Sequence, residues 1–591
     1  TLANSKEESV FFEEPEGRDD LPEDADETSS LPACFQVKND LLGIERFLAL
    51  REHHYPFSKL HPFIKNCSSV IVADKLTFHM EFIMKAWCSL FLFSFVIVVC
   101  SCNLFAGEDK PFVKVVVDQK PVSVVAFDDI CYSSFFVTGK HEITLAAADA
   151  IESFQISPLS YGIKGIARGS KLSFKIDKPC KLIVQLNGKR FFLFADRADE
   201  TTPNPGRPNV VSLASYIKDS KPGSLVTKSV QHAMDETAAA HQILYVPAGT
   251  YATGALFPPS GLNIYLEKGA TFEATQASQN ETTHRLSDGR EVKAIGYWTL
   301  YEVHDVVIGG FGTIDGNGLA LESCTSKRTI PAMLVVMEGC RNIIVKDVIL
   351  KNPRRWNTHI LYSDRVVLDG IKIINSINLP NTDAIDPDNS RDVTIKNVFS
   401  YASDDSIAIK TTATYFNRGL EKKRLPRTSE RITITGGVFW TKKSSLKVGT
   451  ETHRDIIDVL FENNDVIHAD RAMAIYVRDG GTIKNVRFLN NRSEFVGDDA
   501  LRRLLLFTVE KRKQKGKPAP TSHCGRIENI LVRDFTAQQQ GENNSTIRGC
   551  SKTEIATGFK FENFVVGGKR CKTFEEAQID IQPFATDTSI E

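Results

Sequence analysis

The sequence is poor in the features that mark several functional classes. Its 12 cysteines form no CxxC pair and no other metal-ligand spacing, so zinc-ribbon and thioredoxin-like chemistry has no scaffold. No metal site and no cofactor is expected. Lysine plus arginine (72) nearly equals aspartate plus glutamate (73), which excludes the basic footprint of a nucleic-acid binder and any acidic tail. Helical periodicity is almost absent: one segment, "TKSVQHAMDETAAAHQ" from Thr227, carries it. Long apolar runs are equally rare, with a single one between Met84 and Gly107.

That run has the form of an export leader. Met84 and Lys85 open a charge-free apolar core, and small residues follow it. Ordinary cleavage near Ala106 fits, and "VCSC" ending at Cys102 equally fits a lipoprotein box, with membrane attachment through a lipidated Cys102. The expected location is secreted, periplasmic or anchored at a bacterial cell surface. Residues 1–83 include the acidic stretch "EESVFFEEPEGRDDLPEDADETSS", which reads as disordered. Either a real extension precedes a membrane anchor or Met84 is the true start. The lack of sustained pattern favours an over-extended gene start. Beyond the leader the cysteines number seven, an odd count that argues against a complete disulfide framework; one or two bridges fit an exported protein.

From 107 to 198 short β-like runs ("FVKVVVD", "SVVAFDD", "HEITLAA", "GSKLSFKID", "CKLIVQLNG", "RFFLFAD") recur at roughly ten-residue spacing, the pattern of a small β-sandwich. Residues 199–208 form a Pro/Asn-rich linker. From 209 to 591 the chain repeats itself: "RNIIVKDVILKN", "DRVVLDGIKIINS", "RDVTIKNVFSYAS", "ERITITGGVFWTK" and later copies. Repeats of about 23–27 residues with no helix between them predict a right-handed parallel β-helix, so the fold class is all-β. Such a chain needs no oligomer, and a monomer is expected.

Carboxylates cluster in one repeat, "NTDAIDPDNSRDVTIKNVFSYASDDSIAIK". Asp383 and the Asp404–Asp405 pair lie about one coil apart, which brings them together at the strand spacing of about 4.8 Å. Neighbours on a strand point to opposite sides, so a bend is needed for both Asp404 and Asp405 to reach a groove. Crowded carboxylates repel, and a raised acid beside an ionised one suits glycoside hydrolysis. Calcium binding is the alternative for such a cluster. Asp386 and Asp388 read as turn formers.

These segments resemble glycoside hydrolase family 28, the polygalacturonase-like enzymes, over about Asn209 to Phe584. "YVPAGTY", "LEKGATFEA", "GTIDGNG", "LKNPRRWN", "NTD" at Asn381, "DD" at Asp404 and "KVGTE" at Lys447 follow that family's landmarks in order. The resemblance implies single-displacement hydrolysis of a polysaccharide with inversion. Asp404 would be the general acid, Asp383 and Asp405 would hold and activate water, and Asn381 would orient Asp383. Lys410, Glu451, Tyr476 and Arg478 complete the candidate set as substrate-binding residues. Two positions depart from the family: Ser444 stands where a histidine is usual, and Ala474 and Tyr476 align with the Arg and Lys of an Arg-Ile-Lys motif that binds a uronate carboxylate. Arg471 or Arg478 would have to substitute. A tyrosine face suits stacking on a sugar ring, and Trp356 is either a second such platform or core. Two basic insertions, after Lys410 and after Gly497, favour an acidic polymer. The N-terminal sandwich is similar in arrangement to glycoside hydrolase family 49, which points instead to a neutral glucan. A polysaccharide lyase and a non-catalytic glycan-binding β-helix are the remaining alternatives.

Overall fold

The computed structural model describes residues 111–591 except 199–201, 219, 222, 276–282, 286–288, 323–330, 414, 417–422, 498 and 513–522. The acidic N-terminal stretch, the 84–106 leader, Cys102, Cys324 and parts of both basic insertions lie outside the described residues.

Residues 113–197 form two five-stranded sheets. One orders Lys120–Val122, Val113–Val117, His141–Ala147, Lys171–Ile176 and Gly165–Arg168; the other orders Val125–Phe127, Ile130–Val137, Lys189–Arg197, Cys180–Leu186 and Phe154–Ser157. Alternating strands such as "VKVVV" bury one face and pack Val115, Ile143, Leu145 and Leu172 against Leu182, Val184, Phe191 and Leu193. The second sheet is buried on its outer face too. There Phe127, Ile130, Tyr132, Ile183, Phe192 and Phe194 meet Ile349, Ile374, Phe399, Tyr401 and Trp440 of the following domain. A buried ion pair, Lys372–Asp196 at 2.7 Å, crosses the same junction.

From Val210 the chain coils into three long sheets of 13, 12 and 10 described strands, a right-handed parallel β-helix. The repeat seen in the sequence is the coil. Arg341 pairs with Asp364, Asp364 with Arg391 and Arg391 with Glu430, each one coil on. The residue after each has positive φ: Asn342, Arg365, Asp392 and Arg431, then Asp458, Asn485 and Asn529. Asn and Asp tolerate that backbone better than other side chains, and here their side chains also join the coils, as in Asn342 to Asp305 at 2.7 Å and Asn485 to Asp458 at 2.9 Å. Inside, Ile343, Val366, Val393, Ile432, Val459 and Val486 form one of the buried columns of the core. Each contributes about 1.5–3 kcal/mol relative to exposure. The helix Thr227–Ala239 packs Val230, Ala233 and Met234 on the first coils. Cys524 and Cys550 are joined as a disulfide, while Cys131, Cys180, Cys340 and Cys571 are buried thiols. Among the described residues no helix is long and apolar enough to cross a membrane.

Candidate active site

Five neighbouring strands of the ten-stranded sheet carry the site: Thr358–Leu361, Ile385–Asp388, Ile407–Thr411, Ser444–Thr452 and Arg471–Val477. The acids sit just before two of them. Coil-to-coil pairing runs straight through the acidic segments, with Ala384 N donating to Asp405 O at 2.8 Å and Asn357 N to Asp383 O at 2.8 Å. Residues 403–406 bend rather than extend, and Asp405 N donates to Asp404 Oδ1 at 2.9 Å. The bend turns both carboxylates to the same side. Asp383, Asp404 and Asp405 each bring a carboxylate oxygen within 4.8 Å of the others.

Their surroundings separate them. Asp405 is 3 % exposed; its Oδ1 accepts from Ser444 N at 2.9 Å and its Oδ2 is paired with Lys447. Burial pushes its carboxyl up, but the charges of Lys447 and Arg471 outweigh burial and hold it below the usual range. Asp404, half-buried, is pushed up by burial and by the charge of Asp405. Asp383, 4 % exposed, is pushed well up by burial, then by Asp386 and Asp404. Lys410 Nζ lies 2.7 Å from Asp386, 3.5 Å from Asp383 and 3.6 Å from the centre of the Trp356 ring. Burial pulls the Lys410 ammonium down, but Asp386, Asp383 and Glu451 outweigh it and hold its proton more tightly than usual.

The other candidate residues are placed differently from their expected roles. Lys410 is buried and committed to Asp383 and Asp386, so its charge acts on those two carboxylates. Asn381 is half-buried with positive φ and, among the described residues, makes no side-chain hydrogen bond to Asp383. Asn375 does the local work, donating to Thr382 O at 2.7 Å. Tyr476 is only 7 % exposed, packed with Ala474 and Leu506, and lies between Lys447 and Arg478 at 5.8 and 5.3 Å from its ring centre. Little ring face remains for a sugar. Glu451 pairs with Arg512 at 3.6 Å. Arg471 is buried, donating to Ser444 Oγ at 2.8 Å and paired with Asp470, whereas Arg478, 33 % exposed, pairs with Glu510. Ser444 thus serves Arg471 and Asp405 where the family's histidine would stand. Asp386 and Asp388 are strand residues and not turn formers: Asp388 meets His359 at 3.2 Å and Thr412 N at 2.9 Å. Trp356 is neither core nor open platform, being half-buried against Lys410 and His359.

Lys447, which pairs with Asp405, stands outside the candidate set drawn from the sequence. Its signal was its place on the strand one coil beyond the acids, where Ala408 pairs with it.

Three clustered carboxylates on a parallel β-helix are the arrangement to which the sequence resemblance points. Residues 238–582 match the family described as Glycosyl hydrolases family 28, and the chain belongs to that family. It is 28 % identical over 300 residues to a probable polygalacturonase of Vitis vinifera, covering 47 % of this chain and 60 % of that protein. With an exo-poly-alpha-D-galacturonosidase of Dickeya chrysanthemi it shares 23 % identity over 431 residues, covering 62 % and 69 % of the two chains. Among solved structures, Dex49A from Penicillium minioluteum superposes with a TM-score of 0.51 at 13 % identity, over 81 % of this chain and 93 % of that one. That likeness concerns the fold, and it extends over more of the chain than the β-helix occupies.

Proposed function

We propose that this protein hydrolyses an acidic polysaccharide of the galacturonan type by single displacement with inversion. The observation that carries the reading is the division of labour among three carboxylates within 4.8 Å: one held ionised by Lys447, two holding protons more tightly than usual. Asp404 is the most accessible of the three, and the general acid must touch a glycosidic oxygen inside a polymer. Asp405 and Asp383 are buried more deeply, which suits them to a small water molecule rather than to direct contact with the glycosidic oxygen. Asp405 takes the water's proton as the water attacks the anomeric carbon, Asp383 hydrogen-bonds the water, and Asp404 gives its proton to the departing oxygen. The names of the relatives support galacturonan as the polymer.

The carboxyls are closer than the about 6.5–9.5 Å usual for an inverting pair. With three acids the water need not lie between acid and base; it sits beside Asp404, between Asp383 and Asp405. For the substrate carboxylate, Arg478 is the better placed of the two arginines, because its guanidinium keeps contact with solvent and Arg471 does not. Export through the 84–106 leader belongs to the same proposal, and sequencing the N-terminus of the protein recovered outside the cell checks it.

The test is proton NMR of polygalacturonate during cleavage, wild type beside Asp404→Asn. Release of the β-anomer from the α-linked polymer, lost in the variant, is the expected result. An α-anomer would mean a covalent intermediate and overturn inversion. Cleavage of a neutral glucan alone would favour the second reading, which rests on Ala474 and Tyr476 replacing the uronate-binding cations.

A further inference from the structure

The family match begins at residue 238, so it assigns no role to the sandwich. The sandwich nevertheless touches both segments that carry the acids. One of its contacts with them is the tip of a hairpin, Asp128–Asp129, between the strands Val125–Phe127 and Ile130–Val137. Phe127 and Ile130, the residues flanking the tip, are buried against the β-helix, so the tip is fixed in place and does not hang in solvent.

Asp128 accepts from Ser376 Oγ at 2.6 Å and from Asn378 Nδ2 at 2.7 Å through its two oxygens. Both donors lie on the segment that runs into Asn381, Thr382 and Asp383. Asp129 accepts from Tyr401 Oη at 2.9 and 3.0 Å. Tyr401 is fully buried and stands three residues before Asp404. Asp129 is held in turn by Arg190, which lies 4.8 Å over the Trp440 ring. The two segments are also joined to each other: Thr382 and Ser403 share a hydroxyl contact at 2.8 Å, and Ser403 Oγ donates to Leu379 O. Lys442 Nζ reaches Ile377 O at 3.0 Å. Segment 376–382 has no place in a regular strand, so side-chain contacts of this kind must fix its path.

We infer that Asp128 and Asp129 are positioning residues: the sandwich is part of the catalytic apparatus, setting the separation of Asp383 from Asp404. The inference rests on the hydrolase reading for its kinetic test but not for its structural one. A misplacement of about 1 Å at such a site costs up to about 100-fold in rate.

The experiment uses the full chain. Asp128→Ala is expected to lower kcat on polygalacturonate about 10- to 100-fold with little change in KM and a displaced pH profile. Asp128→Asn, which keeps one acceptor oxygen, recovers part of it. Ser376→Ala with Asn378→Ala reproduces the loss, and adding Asp128→Ala to that pair costs nothing more. Glu494→Gln, at the same junction but far from these segments, keeps wild-type kcat. In parallel, hydrogen exchange of amides 376–383 is measured in Asp128→Ala. Faster exchange there supports the inference even if the protein cleaves no galacturonan, in which case the hydrolase reading alone fails. Wild-type exchange, or unchanged kcat and pH profile in an active enzyme, overturns it.

Discussion

Replacing Lys447 by methionine removes a charge and keeps the length of the side chain. Lys447 Nζ is the contact that holds Asp405 ionised, and both side chains are buried, 11 % and 4 % exposed. Two unit charges about 4 Å apart at an effective dielectric of about 20 attract by about 4 kcal/mol. Arg471 still faces Asp405 in the variant, so part of the lowering remains and the shift is upward. Burial then weighs more heavily on Asp405, and its carboxyl moves upward from below the usual range. The acid limb of kcat/KM against pH therefore moves to higher pH. Asp404 also loses a lowering charge, so the alkaline limb moves the same way by less, because Lys447 touches Asp405 directly. The profile narrows and its optimum rises. Unpairing one member of a buried ion pair also costs about 3–5 kcal/mol of stability. Lys447→Met with Asp405→Asn should regain most of that stability and remain inactive. An acid limb that stays in place in Lys447→Met would refute the assignment of Asp405 as the ionised base.

Asp404→Asn should lower kcat about 10²–10⁴-fold, the usual contribution of a positioned acid, with the fold intact by circular dichroism. Asp383→Asn should raise the melting temperature at pH 7. A carboxyl whose folded value is raised binds its proton more tightly folded than unfolded, so stability falls as pH climbs from the unfolded value of about 4 through the folded one; the amide removes that loss. Glu494, pushed up to about 7 chiefly by burial, accepts from Ser157 Oγ at 2.6 Å across the sandwich junction. Glu494→Gln should flatten the decline in melting temperature between about pH 4.5 and 7, and an unflattened decline would remove Glu494 from the account.

The coils were legible because every one repeats the same demand: a positive-φ corner, two inward apolar residues, a second corner. Arg391–Asp392–Val393 and Glu430–Arg431–Ile432 meet that demand with different letters and the same pattern. The three catalytic candidates were legible because coil spacing converts sequence separation directly into stacking. The commitments of Lys410, Tyr476 and Arg471 were not. Whether a cation faces solvent or a buried acid depends on side chains from other coils, such as Asp386 below Lys410, and no single repeat encodes that. The sandwich was half legible for a related reason. Its outer sheet alternates and shows a period of two, while "ICYSSFFV" from Ile130 is buried on both faces and loses the period that would mark it as a strand.

The doubly buried strand also explains why the hairpin tip reads as an ordinary turn. Two adjacent aspartates between short apolar runs are what any solvent-facing turn would use. They differ only in what they meet, and that surface is assembled from Ser376, Asn378 and Tyr401, 248 to 272 residues further along the chain. A sheet with both faces buried cannot shift on the β-helix without exposing Phe192, Phe194 and Ile183, so the tip is held by packing before it forms a single hydrogen bond. That order matters for the acids. Asp383 carries a burial cost that repulsion from Asp386 and Asp404 increases, and a segment free to move would relieve it by turning the carboxylate toward water. On the proposed reading, anchoring the segment to the packed sandwich keeps that arrangement in place, and the arrangement is what would let the three carboxyls serve as an acid, a base and a holder of water.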